Sequence, residues 1–322
     1  MAREKFIERD FKDGSLDVIQ KAAAIIADYQ SQGFTLTLRQ LYYQFVAHDS
    51  FPPERRFRSV GNDKWVRDPK GTPNATPNYK WLASIINDAR LAGLIDWYAI
   101  EDRTRGVETV NAWDSPAELI EAGAKQYKED LWADQKHRPE IWIEKDALTG
   151  IIEPACTKYR VPFYACRGYS SQSEQYRAGK RFERQLAEGL IPIVIHLGDH
   201  DPSGIDMTRD NADRLEMFAY ERVELRRIAL NMDQVEQYNP PPNPAKESDS
   251  RSTGYIEKFG DSSWELDALD PRVIDRLISR ELDTLIDQKK WKAAKAGEEE
   301  RRDFLQSVSD NLEDVTEFLK GL

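Results

Sequence analysis

The stretch that most constrains this chain is Ile191-Pro-Ile-Val-Ile-His-Leu-Gly-Asp-His-Asp-Pro-Ser-Gly204. Its apolar, β-branched run from Ile193 to Leu197 has the length and composition of a buried strand. Gly198 ends the run, and two carboxylates follow at i and i+2, Asp199 and Asp201. Residues two apart in extended backbone project to the same side. Both acids are therefore expected at the carboxyl end of a strand, where open α/β sheets place their ligands. Pro202 and Gly204 turn the chain, and a helix is expected over about 206–220. Two carboxylates aimed at one point are a seat for Mg²⁺, a cation that prefers oxygen ligands; the competing reading is a solvated turn.

The preceding segment repeats this design. Pro139-Glu-Ile-Trp-Ile-Glu144 reads as a strand ending in an acid. A helix over 147–159, a strand over 161–165, the turn Arg167-Gly168-Tyr169 and a helix over 172–188 lead to the opening strand. This β-α-β-α-β alternation implies a parallel sheet covered on both faces. The first and third strands then end on one edge, so Glu144, Asp199 and Asp201 can converge. A connecting helix is expected over 114–132, begun by Asp114 or Ser115 with Pro116 in its first turn. An edge strand is expected over 223–230.

Nearer the N-terminus, a helix is expected over 16–29 and a second over 38–47 with Thr37 as its N-cap. The second helix has its apolar stripe at Leu38, Leu41, Tyr42 and Phe45. Tyr43 lies off that stripe, on the face of Arg39 four residues earlier. An exposed Tyr beside a guanidinium is a candidate nucleophile, because the cation favours phenolate; the alternative is a surface Tyr whose ring packs along Arg39. A Pro-rich loop over 49–78 follows. The net charge of −11 argues against a protein that coats nucleic acid generally. Yet residues 50–80 hold seven basic groups, Arg55, Arg56, Arg58, Lys64, Arg67, Lys70 and Lys80, against three acidic ones. Phe51, Phe57, Trp65 and Tyr79 interleave them, as in a nucleic-acid groove; a solvated loop is the alternative. A helix over 79–92 turns Lys80 and Arg90 away from its core face. A strand over 95–100 and a basic turn with Arg103 and Arg105 complete the layout of a winged helix-turn-helix.

From residue 239 the composition shifts to Pro, Asn and Ser, which reads as a linker or ordered excursion. Structure is expected to resume at 264–269, where Glu265 and Asp267 are either further metal ligands or solvated acids. A helix over 272–291, a charged run over 289–302 and a last helix over 304–319 follow, the last an arm for packing or interaction. No apolar run approaches the ~20 residues of a membrane span. The two cysteines, Cys156 and Cys166, lack metal-ligand spacing, so no zinc and a reducing cytoplasm are expected.

With Arg39-x-x-x-Tyr43, strand-ending Glu144, the turn at Gly168 and Asp199-x-Asp201-Pro-x-Gly204 in this order, the chain resembles the Toprim superfamily. Specifically, it is similar to the DNA-cleaving A subunit of topoisomerase VI and the related meiotic double-strand-break transesterases. The resemblance covers about residues 35–230, and the turn departs from the family pattern in carrying Ser170 where Pro is common. It implies α/β plus α+β architecture: a winged-helix domain over 1–112, a Toprim domain over 113–238, and a linker with helical extension over 239–322. It also implies Tyr43 as nucleophile, Arg39 as phosphate-side cation, and Glu144 as metal ligand or general acid/base. Asp199 and Asp201 would hold Mg²⁺, with Mn²⁺ as substitute. Arg55, Arg56, Arg58, Lys64, Arg67, Lys80, Arg90, Arg103 and Arg105 become expected DNA contacts. Expected partners are DNA, a second copy whose metal meets the first copy's tyrosine, and a separate ATPase subunit, since the chain carries no Gly-x-x-x-x-Gly-Lys-Ser/Thr loop. Two other readings use the same residues. In one, the acids activate water for hydrolysis and Tyr43 is structural. In the other, the chain binds DNA without cutting it.

Overall fold

The computed structural model describes residues 3–61, 64–101, 112–244 and 251–321. It is a mixed α/β protein containing a four-stranded parallel sheet. The N-terminal part holds α1 (Asp13–Ser31), α2 (Leu38–Ala47), β1 (Phe57–Ser59), β2 (Trp65–Arg67) and α3 (Thr76–Leu91). Thr37 caps α2 as expected: Gln40 N–H donates to its side chain and its own N–H donates to the Gln40 side chain, a reciprocal capping box. Val18, Ile19, Leu41, Phe45, Leu82 and Ile86 close the core of these three helices.

The segment expected as a Pro-rich loop contains a hairpin. β1 and β2 pair antiparallel inside the Pro-rich segment, between α2 and α3. The stretch over 95–100 is not a strand; it touches its neighbour through one parallel bridge, Leu36 to Ile100. Asp96 explains this, because its side chain accepts from Tyr98 N–H at 2.8 Å and closes a local turn that competes with a ladder. Arg103 and Arg105 lie outside the described residues.

The connecting helix α4 (Pro116–Gln126) is shorter than expected, since Tyr127 is already extended. Ser115 caps it by accepting from Glu118 N–H. Then come β3 (His137–Ile143), α5 (Thr149–Tyr159) after a 3-10 turn, β4 (Phe163–Ala165) and α6 (Gln172–Ala187). β5 (Ile191–Leu197), α7 (Pro202–Ala219) and β6 (Glu224–Ala229) complete the sheet in the order β4-β3-β5-β6, all parallel, with β6 at an edge. Side chains alternate across it. Ile141, Ile143, Ile193, Ile195 and Leu197 join the large core on one face, whereas Trp142 and Val194 join Phe182 of α6 and Leu215 of α7 on the other.

The chain continues through α8 (Met232–Tyr238), β7 (Asn243–Pro244), α9 (Ser252–Phe259) and β8 (Ser262–Ser263). It ends in α10 (Pro271–Leu285), α11 (Gln288–Asp310) and α12 (Leu312–Lys320). Residues expected as an extension belong to the sheet's own core: Trp264, Leu266, Ile274, Ile278, Leu282 and Trp291 pack on the face that α5 covers. The helix expected to run on to 291 breaks after Leu285, where Ile286 is extended and Asp287 caps α11. The charged run is helical throughout. No helix among the described residues is long and apolar enough to cross a membrane.

Candidate active site

The site forms where β3 and β5 end together. Ile143 pairs with Leu197, and Glu144 N–H extends the ladder to Leu197 O at 2.9 Å. Glu144 Oε2 accepts from Asp199 N–H at 2.8 Å, which brings the two strand-ending acids side by side. Asp201 is the N-cap of α7, accepting from Gly204 N–H at 2.6 Å and from the Ser203 hydroxyl at 3.1 Å. The glycine of the motif has a packing reason. A Cβ at Gly204 would collide with the Asp199 carbonyl oxygen and stand 3.0 Å from Glu144 Oε2. Glu144, Asp199 and Asp201 therefore do converge, and all three line one cavity of about 700 Å³.

Two elements of the site were missed or only glimpsed in the sequence. Arg227 of β6 is almost wholly enclosed and donates to the carbonyls of Gly198, Asp199, Gly204 and Leu230 at 2.6–3.1 Å. It knits the loop after β5 to the start of α7. An Arg on an edge strand ordinarily signals solvent, so nothing local distinguishes it. The second element is the Glu265–Asp267 segment. His200, the middle residue of Asp-x-Asp, exchanges two backbone hydrogen bonds with Trp264 and so delivers Glu265 and Asp267 to the site. These acids are not solvated. Lys145 Nζ reaches Asp199 Oδ2 at 2.9 Å, Glu265 Oε2 at 2.9 Å and Asp267 Oδ1 at 3.2 Å. Leu266 N–H donates to Asp199 Oδ1 at 2.8 Å.

Tyr43 is in a different state from the exposed phenol expected. It shares Arg39's face, and Arg39 Nη2 donates to its hydroxyl at 3.2 Å, but it is only 3% exposed. A distant segment packs beside it: Ala268 joins the core cluster that holds Tyr43, and Arg39 pairs with Glu265 Oε2 and, through Nε, with Asp267 Oδ2 at 3.0 Å. Burial, then Asp267 and Glu265, raise the phenol's pKa, and Arg39 only partly offsets them. Its resting form is the neutral phenol, not phenolate. Tyr43 also lines the cavity of its own chain's acids, whereas the resemblance places it against a second copy's.

Five carboxylates, Glu144, Asp199, Asp201, Glu265 and Asp267, thus face three cations, Lys145, Arg227 and Arg39. Burial is the largest influence on how these acids titrate. Burial, then Asp199 and Asp201, push Glu144 up to about 7. Burial raises Asp199 against the pull of Lys145. Burial outweighs Lys145 and Arg39 at Asp267, which rises to about 6. At Glu265 burial acts upward too, but Lys145 and Arg39 outweigh it and hold the acid at about 2. As placed, no three ligating groups among the described residues close on one point. The donor set nevertheless suits a hard dication: among the described residues no hydrogen bond reaches Glu144 Oε1 or Asp201 Oδ2, and two negative charges lack a partner.

The seven expected DNA-contact residues that are described divide into three groups. Lys80 lines the cavity beside Trp65. Lys64 and Arg67 are exposed at the hairpin. Arg55, Arg56, Arg58 and Arg90 hold internal partners: Arg55 stacks on Trp81 at 4.0 Å and donates to Asn78, Arg56 pairs with Asp49, and Arg58 with Asp68. Arg90 stacks on Trp97 and donates to its carbonyl at 2.7 Å. Comparison with protein-family models and with curated proteins finds no match to this chain.

Proposed function

We propose that this chain cleaves DNA by Mg²⁺-dependent tyrosine transesterification, as topoisomerase VI A subunits do. In this reading α1–α3 with the β1–β2 hairpin are a winged-helix unit and the parallel sheet is a Toprim domain. The observation that carries it is the sharing of one cavity by Tyr43, Arg39, Glu144, Asp199 and Asp201 at the carboxyl edge of a parallel sheet.

Tyr43 Oη forms a bond to the phosphorus, the bond to the 3′ oxygen breaks, and the products are a 5′-phosphotyrosyl link and a free 3′-hydroxyl. The phenol must give up its proton in the same exchange, and Glu144, titrating at about 7, is suited to receive and return one. Arg39 steadies both the phenol and the phosphate. Asp199 and Asp201 would hold Mg²⁺, or Mn²⁺ in its place, with Glu144 either a third ligand or, left off the ion, the proton acceptor; the ion would stabilise charge on the phosphate in the transition state. Lys80, Lys64 and Arg67 supply backbone contacts that should be strongly salt-dependent in a chain of net charge −11. Because the tyrosine and acids share one chain, each protomer cuts one strand and a homodimer would cut two. Strand passage would require a separate ATPase subunit.

A second reading, hydrolysis with Tyr43 structural, is favoured by the burial and raised pKa of that phenol. The test uses end-labelled supercoiled and linear DNA with Mg²⁺ or Mn²⁺, comparing wild type with Tyr43→Phe before and after protease. Protein attached to 5′ ends, absent in the variant, is the expected result. Free 5′-phosphate ends from both proteins would establish hydrolysis instead.

A further inference from the structure

We infer that Arg39 and Lys145 form a binding subsite for one phosphodiester group, occupied in the free protein by the Glu265 carboxylate as a displaceable stand-in. One oxygen, Glu265 Oε2, is held by both cations: by Lys145 Nζ at 2.9 Å and by Arg39 Nη2. The same Arg39 Nη2 also touches the Tyr43 hydroxyl at 3.2 Å. An anionic oxygen therefore sits one hydrogen-bond donor away from the proposed attacking atom. A phosphodiester carries one negative charge over two non-bridging oxygens, as a carboxylate does, and Arg and Lys are the side chains that bind it.

Glu265 and its neighbour Asp267 divide two tasks. Asp267 is 3% exposed, does not line the cavity, and holds Arg39 and Lys145 through separate oxygens. It fixes the two cations whether or not ligand is present. Glu265 has a side chain 24% exposed, lines the cavity, and accepts on its other oxygen from Asn243 Nδ2 at a long 3.3 Å. It can swing out without undoing the cation pair. The inference rests on the DNA-cleavage reading only for the identity of the anion.

The test is equilibrium binding in chelator, where no cutting occurs, using a fluorescent duplex oligonucleotide and, separately, inorganic pyrophosphate. Glu265→Gln removes the competing charge while Asp267 keeps the cations in place, so DNA affinity should rise by about tenfold. Adding Lys145→Gln to that variant should abolish the gain. Unchanged or weakened binding of both probes by a folded Glu265→Gln protein would overturn the inference. A gain for pyrophosphate with no DNA binding by any form would keep the anion subsite and remove the DNA reading.

Discussion

Replacing Gly204 with Ala tests whether the loop after β5 is seated against the acids as described. The new Cβ would meet the Asp199 carbonyl oxygen, the Asp199 carbonyl carbon at 3.0 Å and Glu144 Oε2 at 3.0 Å. The first two are backbone, and the third belongs to a buried side chain already bonded to Asp199 N–H. None can step aside cheaply. Overpacking of this kind costs about 1–3 kcal/mol, and Ala in place of Gly in a helix offsets at most about 1 kcal/mol. A contact this close with backbone belongs at the upper end of that range, so the expected net loss is about 2 kcal/mol, read as a lower urea midpoint at unchanged slope. Gly123→Ala in α4 is the contrast, because no heavy atom lies within 4 Å of its Cβ. It should gain up to about 1 kcal/mol from helix propensity alone. Gly204→Ala should also weaken Mn²⁺ binding, since the displaced atoms belong to Asp199 and Glu144. A Gly204→Ala protein as stable as wild type, alongside a stabilised Gly123→Ala, would refute the packing argument.

Two further perturbations follow from the charges. Glu144 titrates at about 7, above its unfolded value of 4.5, so its neutral form is the one the fold favours. Its contribution to stability is full below the unfolded value and is lost as pH rises through about 7. Glu144→Gln in chelator should therefore match wild type at about pH 4 and exceed it at about pH 8. A flat wild-type melting profile over that range would count against the assignment. Asp267→Ala leaves Arg39 and Lys145 short of a buried partner, a loss of 3–5 kcal/mol for a wholly enclosed pair. Glu265 and Asp199 retain part of the pairing, so about 2–4 kcal/mol is expected in urea unfolding; a loss below 0.5 kcal/mol, the scale of a surface substitution, would remove the anchoring role.

The parts of this fold legible in the sequence are those with a local cause. β3 and β5 are apolar runs because both faces are covered, and Thr37 and Ser115 mark helix starts because their side chains accept orphaned N–H groups. Glu144, Asp199 and Asp201 could be brought together on paper because parallel strands end on one edge. What escaped has a non-local cause. Tyr43 sits off its helix's apolar stripe and is nevertheless buried in a core that also takes Ala268, next to residues 265–267 that pair with Arg39. Those pairs depend on the His200–Trp264 bridge, which no periodicity encodes. The hairpin was invisible because three-residue strands fall below any pattern window, and its seat depends on Gly71, where a Cβ would strike the Phe57 backbone.

Ion pairs to a carboxylate as buried as Asp267 are poor sources of stability, since its desolvation consumes much of the attraction. Their use here is positional. Arg39 belongs to the helical part and Lys145 to the sheet, and Asp267 holds both, so one carboxylate sets where Tyr43 lies relative to Glu144 and Asp199. Burial, joined by Asp199 and Asp201, raises Glu144, and burial against the pull of Lys145 and Arg39 raises Asp267. A site that only stabilised the fold would have no reason to keep five carboxylates against three cations. On the proposed reading the two uncompensated carboxylates would attract a dication, and the Glu265 carboxylate would give way to a phosphodiester while Asp267 keeps Arg39 and Lys145 aligned.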